Sequence, residues 1–382
     1  MINSNLILFE GIPGSGKSTT ARSVSIQLDL AGVPNSFIHE LASNHPINFF
    51  NEVYLNETEF SEFSELLSLF DSVSGVTTTI ENMYCVSLLE LRRSHLISNK
   101  AELIKELFPF FWINDPSRYL AIARTKVQSF VKRVIEENEV IIMEGSIIQF
   151  FTDGLLLNGF SKSVIMKFIN SLMEELKSLN PVIIYLTPSD KESSIRKMFE
   201  IRGETYKVGR HFPYAQGKQK NDFELYIDFL TEYDEIAQEI VNHSNFVKLS
   251  IDIAKRNWID YEQLILRILE VGRCDKMLDN HHFSIFTGEY VWNDLTFKIS
   301  FENGILYGSY NNYKKRLIPK NESEFYICDN SVELLFSMSS DKKTSSNCFT
   351  IGGRDISQDW SVIGNKFTRL LTEEHDPTGN FS

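Results

Sequence analysis

Hydrophobic positions change their period along the chain, and each change marks a different kind of element. A short β-type run at residues 5–10, apolar from Leu6 to Phe9, stops at Gly11; after a glycine-rich stretch, Ala21, Val24, Leu28 and Ala31 recur at helical spacing up to Gly32. That pattern predicts a strand, a loop and a helix in direct succession. Further apolar runs at 36–40, 139–144, 182–187 and 246–250 alternate with helical patterns at 116–137, 161–179, 223–242 and 257–272. Five short strands alternating with helices predict a parallel sheet covered by helices on both faces. Asp115-Pro116 supplies an N-cap and a first-turn proline for the helix at 116–137.

Two stretches depart from this rhythm. Residues 46–112 are rich in Phe, Leu and Glu, with Phe60, Phe63, Leu66, Leu67 and Phe70, then Tyr84, Leu88 and Leu91, at helical spacing, so they predict a helical insert. The aromatic cluster Phe108-Pro-Phe-Phe-Trp112 reads as core rather than as the wall of a pocket. From about residue 281 the period becomes two, as in Val291-Trp-Asn-Asp-Leu-Thr-Phe-Lys-Ile-Ser-Phe301, with turn residues such as Asn303-Gly304 between runs. The expected fold class is therefore α/β, with a five-stranded parallel sheet and helical insert over 1–273, followed by an antiparallel β domain over 281–375.

Composition narrows the functions. The 382 residues carry a formal charge of −13, which argues against nucleic acid as a partner, because such binding needs clustered Lys and Arg. No run of 18 or more apolar residues occurs, so no membrane span is expected, and the N-terminus lacks the basic and apolar regions of a secretory signal, so the expected compartment is the cytoplasm. Cys85, Cys274, Cys328 and Cys348 lie far apart without nearby His partners, which fits reduced thiols and no structural metal.

The chemistry is concentrated where the first strand breaks. Glu10-Gly-Ile-Pro-Gly-Ser-Gly-Lys-Ser-Thr19 contains the spacing G-x-x-x-x-G-K-[ST] between a strand and a helix. Such a P-loop turns successive backbone N–H groups and a helix N-terminus onto phosphate. Gly11, Pro13, Gly14, Ser15, Gly16, Lys17, Ser18 and Thr19 are accordingly the expected ATP-binding residues, with Lys17 reaching the β- and γ-phosphates and Ser18 offering a hydroxyl to Mg²⁺. Two further acids close predicted strands, Glu40 and Glu144, and ligands of parallel sheets gather at those ends. Glu144 is expected to hold the magnesium ion with Ser18, and Glu40 to orient or deprotonate an acceptor hydroxyl. The basic segment containing Arg196, Arg202, Lys207 and Arg210 is a candidate lid over the triphosphate, spanning 196–222. Arg118 and Arg124 on the helix at 116–137 are candidate acceptor clamps, or surface charges.

These residues resemble the nucleoside and nucleotide kinases of the P-loop superfamily. Glu10 through Thr19 is similar to the opening motif of thymidylate and deoxynucleoside kinases; Glu40 sits where the latter carry their general base; Glu144-Gly-Ser146 resembles their Glu-Arg-Ser motif; and Ile184-Tyr-Leu-Thr-Pro-Ser-Asp190 with Arg196 and Arg202 resembles their strand and arginine lid. The likeness covers residues 4–270, and it departs at Gly145, which stands where the family has arginine, and at Pro13. The C-terminal region resembles small lipocalin-like β domains, which implies a fold and no activity.

The resemblance implies a Mg-ATP-dependent kinase acting on a small-molecule acceptor, a nucleoside or nucleotide among the candidates. A second class stays open: a nucleotide-dependent switch that binds a protein partner, motivated by the extra β domain. That domain is left with three candidate roles, namely packing, homodimer formation or covering the acceptor site.

Overall fold

The computed structural model describes residues 3–40, 42, 45–47, 52–63, 77–80, 82–88, 91, 100–111, 116–202, 208–274, 283–302, 305–310, 313–327, 332–337, 348–353 and 366–369. The chain divides into two compact units. One comprises Met1–Ala21 with Val33–Gly272; the other comprises Arg22–Gly32 with Arg273–Ser382.

In the first unit, β1 (Leu6–Gly11) leads to α1 (Lys17–Leu30), whose residues from Arg22 onward belong to the second unit, and β2 (Asn35–Ile38) follows. An insert contains β3 (Glu52–Leu55), β4 (Thr77–Ile80), β5 (Met83–Ser87) and α2 (Lys100–Leu107). Then come α3 (Pro116–Glu137), β6 (Val140–Glu144), α4 (Ile147–Leu157), α5 (Lys162–Glu175), β7 (Val182–Thr187), α6 (Lys191–Arg202), α7 (Asp222–His243), β8 (Val247–Asp252) and α8 (Trp258–Ile268).

The strands β2-β6-β1-β7-β8 pair in that order, all parallel, as the alternation of strands and helices predicts. Lying at the centre, β1 is buried on both faces, which explains its unbroken apolar run. Its register sets Phe9 against Glu144 and Gly11 against Leu186, so the P-loop leaves the sheet beside the last residue of β6. None of the helices among the described residues is long and apolar enough to cross a membrane.

The insert is helical only in part. Strands β3, β5 and β4 form an antiparallel sheet, with Ile80 opposite Met83. The helical spacing at Tyr84 and Leu88 misses it, because Tyr84 lies on β5 and only Leu88 and Leu91 beyond it are helical. The deciding signal is the β-branched run Thr77-Thr-Thr-Ile80 with two-sided burial of Met83–Ser87. Tyr54 and Cys85 join the main α/β core, whereas Val53, Leu55 and Val86 turn to a second cluster with Phe63, Leu103 and Leu107, as period two requires. Phe110 meets the Phe63 ring edge-on at 5.8 Å and, with Phe111, packs half-buried against this second cluster, whereas Phe108 is 42% exposed, so the aromatic cluster is core only in part. Leu66, Leu67, Phe70, Trp112 and Asp115 lie outside the described residues.

The second unit holds β9 (Gly288–Trp292), β10 (Leu295–Glu302), β11 (Ile305–Tyr310), β12 (Tyr313–Pro319), β13 (Glu324–Ile327), β14 (Val332–Ser337), β15 (Cys348–Gly353) and β16 (Lys366–Arg369). They close as an antiparallel barrel, with β16 pairing back to β9. Aromatic rings fill its interior: Phe336 lies 4.7 Å from Phe286, 5.6 Å from Phe325 and 5.3 Å from Phe349. Leu317, Phe325 and Ile327 point into this core, so their neighbours Ile318 and Tyr326 point out, where they pack with Ile26 and Leu30 of α1.

Candidate nucleotide and acceptor site

The glycines of the P-loop take positive φ, Gly11 at 142°, Gly14 at 79° and Gly16 at 84°, a region that L side chains rarely adopt. At Gly16 space is also exhausted, since a Cβ there would lie 2.6 Å from Cη2 of Trp258. Ser15 N–H donates to the Ile12 carbonyl at 3.2 Å and the Lys17 ammonium to the same oxygen at 3.1 Å. The Ser15 hydroxyl is buried without a partner inside this turn.

Glu144 gathers the neighbouring strand ends. Its Oε1 accepts from the Ser18 hydroxyl at 3.1 Å, and its Oε2 accepts from the Glu40 backbone N–H at 3.3 Å and lies 3.7 Å from His39 Nε2. Burial and the charge of Glu40 push the Glu144 carboxyl above the usual range, against the pull of Lys17 and His39.

Glu10, fully buried, serves the start of α4. Its carboxylate accepts from Ser146 N–H at 3.2 Å, Ser146 Oγ at 2.8 Å, Ile148 N–H at 3.3 Å and Gln149 N–H at 3.0 Å. An acid at a helix N-terminus satisfies donors that otherwise have no partner. Burial nevertheless pushes its pKa up to about 7, opposed chiefly by the Ser146 hydrogen bond and Lys17.

Glu40 follows β2, and its Oε2 accepts from Gln149 Nε2 at 2.5 Å. Gly145, with φ +60°, leaves room for this pair: a Cβ there would lie 2.7 Å from Glu40 Oε2 and 2.9 Å from Gln149 Oε1. Glycine at 145 thus has a local physical reason. The space beside Glu40 is taken by Gln149.

The remaining basic residues lie as follows. Arg196 is bonded to Glu192 at 2.6 Å and lies over the Phe223 ring at 4.6 Å. Arg202 is on α6, but its side chain, like all of Lys207, lies outside the described residues. Arg210 braces its own loop, donating to Asp222 at 2.8 Å and to the Lys220 carbonyl at 2.5 Å. Arg124 lies 3.9 Å from Glu175, and the side chain of Arg118 is outside the described residues.

The structure therefore brings Lys17, Ser18, Glu40 and Glu144 together with the P-loop. Sequence reasoning passes over two residues that meet this site, Gln149 and Trp258, and over Asp153, one turn beyond Gln149. Gln149 and Asp153 are polar residues one turn apart in the helix Ile147-Ile-Gln-Phe-Phe-Thr-Asp-Gly-Leu-Leu-Leu157, which is apolar but for these two and Thr152, a readable signal. Trp258 reaches Gly16 only through the tertiary fold.

No protein-family model matches the chain, and no curated protein matches it. Among solved structures, the crystal structure of a thymidylate kinase from Ehrlichia chaffeensis aligns with a TM-score of 0.31 at 13% identity, over 70% of this chain and 99% of that chain.

Proposed function

We propose that this chain is a Mg-ATP-dependent phosphotransferase that acts on a hydroxyl group of a small molecule. The observation that carries the reading is the Ser18–Glu144–Glu40 junction at the mouth of the P-loop. The residues fit the nucleotide: the loop's positive-φ glycines leave backbone N–H groups unshielded, and the buried Ser15 hydroxyl lacks a partner that a phosphate oxygen would provide. They fit the metal as well, because a magnesium ion takes one or two protein oxygens and completes its shell with phosphate and water, and the Ser18–Glu144 pair offers those oxygens. When bound, magnesium supplies positive charge against the β- and γ-phosphate oxygens.

The chain's own residues then divide the work. Lys17 leaves the Ile12 carbonyl for the triphosphate, and the P-loop amides hold it in place. Glu40 accepts the proton of the acceptor hydroxyl as its oxygen bonds to the γ-phosphorus and the bond to the ADP oxygen breaks. Gln149 fixes the Glu40 carboxylate through its amide. Arg196 and Arg202 act as lid residues, which requires Arg196 to give up Glu192. Trp258, 37% exposed over Gly16, offers a flat apolar face beside the donor nucleotide.

The test is ADP release with Mg-ATP across nucleosides, nucleoside monophosphates, sugars and amino sugars, with Lys17→Ala as the blank. Acceptor-dependent release lost in Lys17→Ala is the expected result; release indifferent to every acceptor would refute phosphotransfer.

One observation favours a second reading, a nucleotide-dependent switch. The helix that begins at Lys17 supplies its residues from Arg22 to the second unit, so movement of the P-loop would be felt there. Slow ATP hydrolysis that is independent of small acceptors and stimulated by a protein would mark that case.

A further inference from the structure

We propose that the acceptor of this site carries an amine as well as a hydroxyl group, and that Asp153 and Gln149 on α4 bind the amine beside Glu40. The proposal deepens the phosphotransfer reading and rests on it for the identity of this face as the acceptor face.

Gln149 and Asp153 stand at i and i+4 of α4, so they share a face. The Gln149 amide donates to Glu40, which leaves its carbonyl oxygen free, and that oxygen is buried without a donor. A buried acceptor of this kind calls for an N–H or O–H from outside the protein. One turn on from Gln149, the Asp153 carboxyl is pushed up to about 7 by burial first and by the charge of Glu40 second. A second buried polar group feels the same charges. Tyr233 is 1% exposed, its hydroxyl has no partner, and the charges bearing on it are those of Glu10, Asp153, Asp234 and Glu40.

Among the described residues, the cations near this face have partners of their own, and His39 Nε2 lies 3.7 Å from Glu144 Oε2. Lys17 is bonded to Ile12, and Lys126 to Glu52 and Tyr54. His45, held neutral because burial and Lys126 lower its pKa to about 3, adds no positive charge. An ammonium group meeting this face would satisfy the Gln149 carbonyl and relieve the repulsion between Glu40 and Asp153. A phosphate monoester would bring like charge to those carboxylates, which disfavours a nucleoside monophosphate as acceptor.

The experiment is calorimetric binding, with and without a non-hydrolysable ATP analogue, of ethanolamine, glucosamine and kanamycin against ethylene glycol, glucose and nucleoside monophosphates. At least one amine is expected to bind about tenfold or more tighter than its hydroxyl counterpart and than every monophosphate. Asp153→Asn should erase that preference while Mg-ATP still binds, which shows that the variant is folded. A monophosphate that binds best, no amine that exceeds its hydroxyl counterpart, or a preference unchanged in Asp153→Asn would each overturn the proposal. ADP release is read separately. Amine binding without acceptor-dependent release would defeat the phosphotransfer reading and leave the amine site standing.

Discussion

The Ser18 hydroxyl donates to Glu144 Oε1 at 3.1 Å, which ties the first turn of α1 to the last residue of β6. Because β6 lies between β1 and β2, the same carboxylate also reaches the Glu40 backbone, and one side chain joins the first turn of α1 to the end of β2.

Replacing that carboxylate by an amide removes charge and keeps shape. Glu144→Gln should lower Mg-dependent turnover by about 10²–10³-fold, the usual loss for one group of an electrostatic site, and raise the magnesium concentration needed. A magnesium titration of ADP release, compared with nucleotide binding measured without metal, reads both effects.

Glu10 gives a pH dependence with a definite sign. Its pKa is pushed from 4.5 to about 7 in the folded chain, so between those values the folded state holds a proton that the unfolded state has lost. Its contribution therefore favours the fold below about pH 4.5 and is withdrawn as pH rises towards 7. His45, lowered from 6.5 to about 3, works the other way as the medium is acidified. The comparison with Glu10→Gln isolates the first effect: the difference in melting temperature between variant and parent should change steadily in the variant's favour from pH 4.5 to 7.

The contact between Gly16 and Trp258 predicts both a defect and a signal. Gly16→Ala would force a methyl group to within 2.6 Å of the indole at φ +84°, so it should abolish nucleotide binding. In the parent, Mg-ATP should change the tryptophan emission. Trp258→Phe should lose that change even though three other tryptophans remain of the four in the chain.

The barrel should behave as a filled core. Phe336 touches the rings of Phe286, Tyr290, Phe325 and Phe349, so Phe336→Ala should destabilise the second unit by about 3–5 kcal/mol. Denaturant unfolding followed by near-ultraviolet circular dichroism would show it. A loss below about 1 kcal/mol would mean that the interior is not packed as described.

The architecture was legible in the sequence wherever one signal dominated. Continuous apolar runs gave away β1, β6 and β7, because strands covered on both faces have no polar side to alternate with. Period two revealed the antiparallel barrel, and the P-loop spacing placed Lys17 and Ser18. The sheet of the insert was hidden because Tyr84, Leu88 and Leu91 imitate a helix across a strand-to-helix junction. Glu10 was legible as part of a motif but not as the acid that receives the N–H groups of α4, since its donors lie at residues 146–149. Trp258 was beyond reach for the same reason: only the packing of α8 brings it to Gly16.

The residues at 22–32 belong with the barrel, although they continue the helix that the P-loop starts. Ile26 and Leu30 cover Ile318 and Tyr326, and the Cys274 N–H donates to Gln27 at 2.9 Å. The barrel is for that reason not a cassette that could be transplanted or shed by recombination at a single joint. A gene cut after Gly272 would yield a helix with an uncovered apolar stripe, and a gene begun at Arg273 would yield a barrel missing part of its coat.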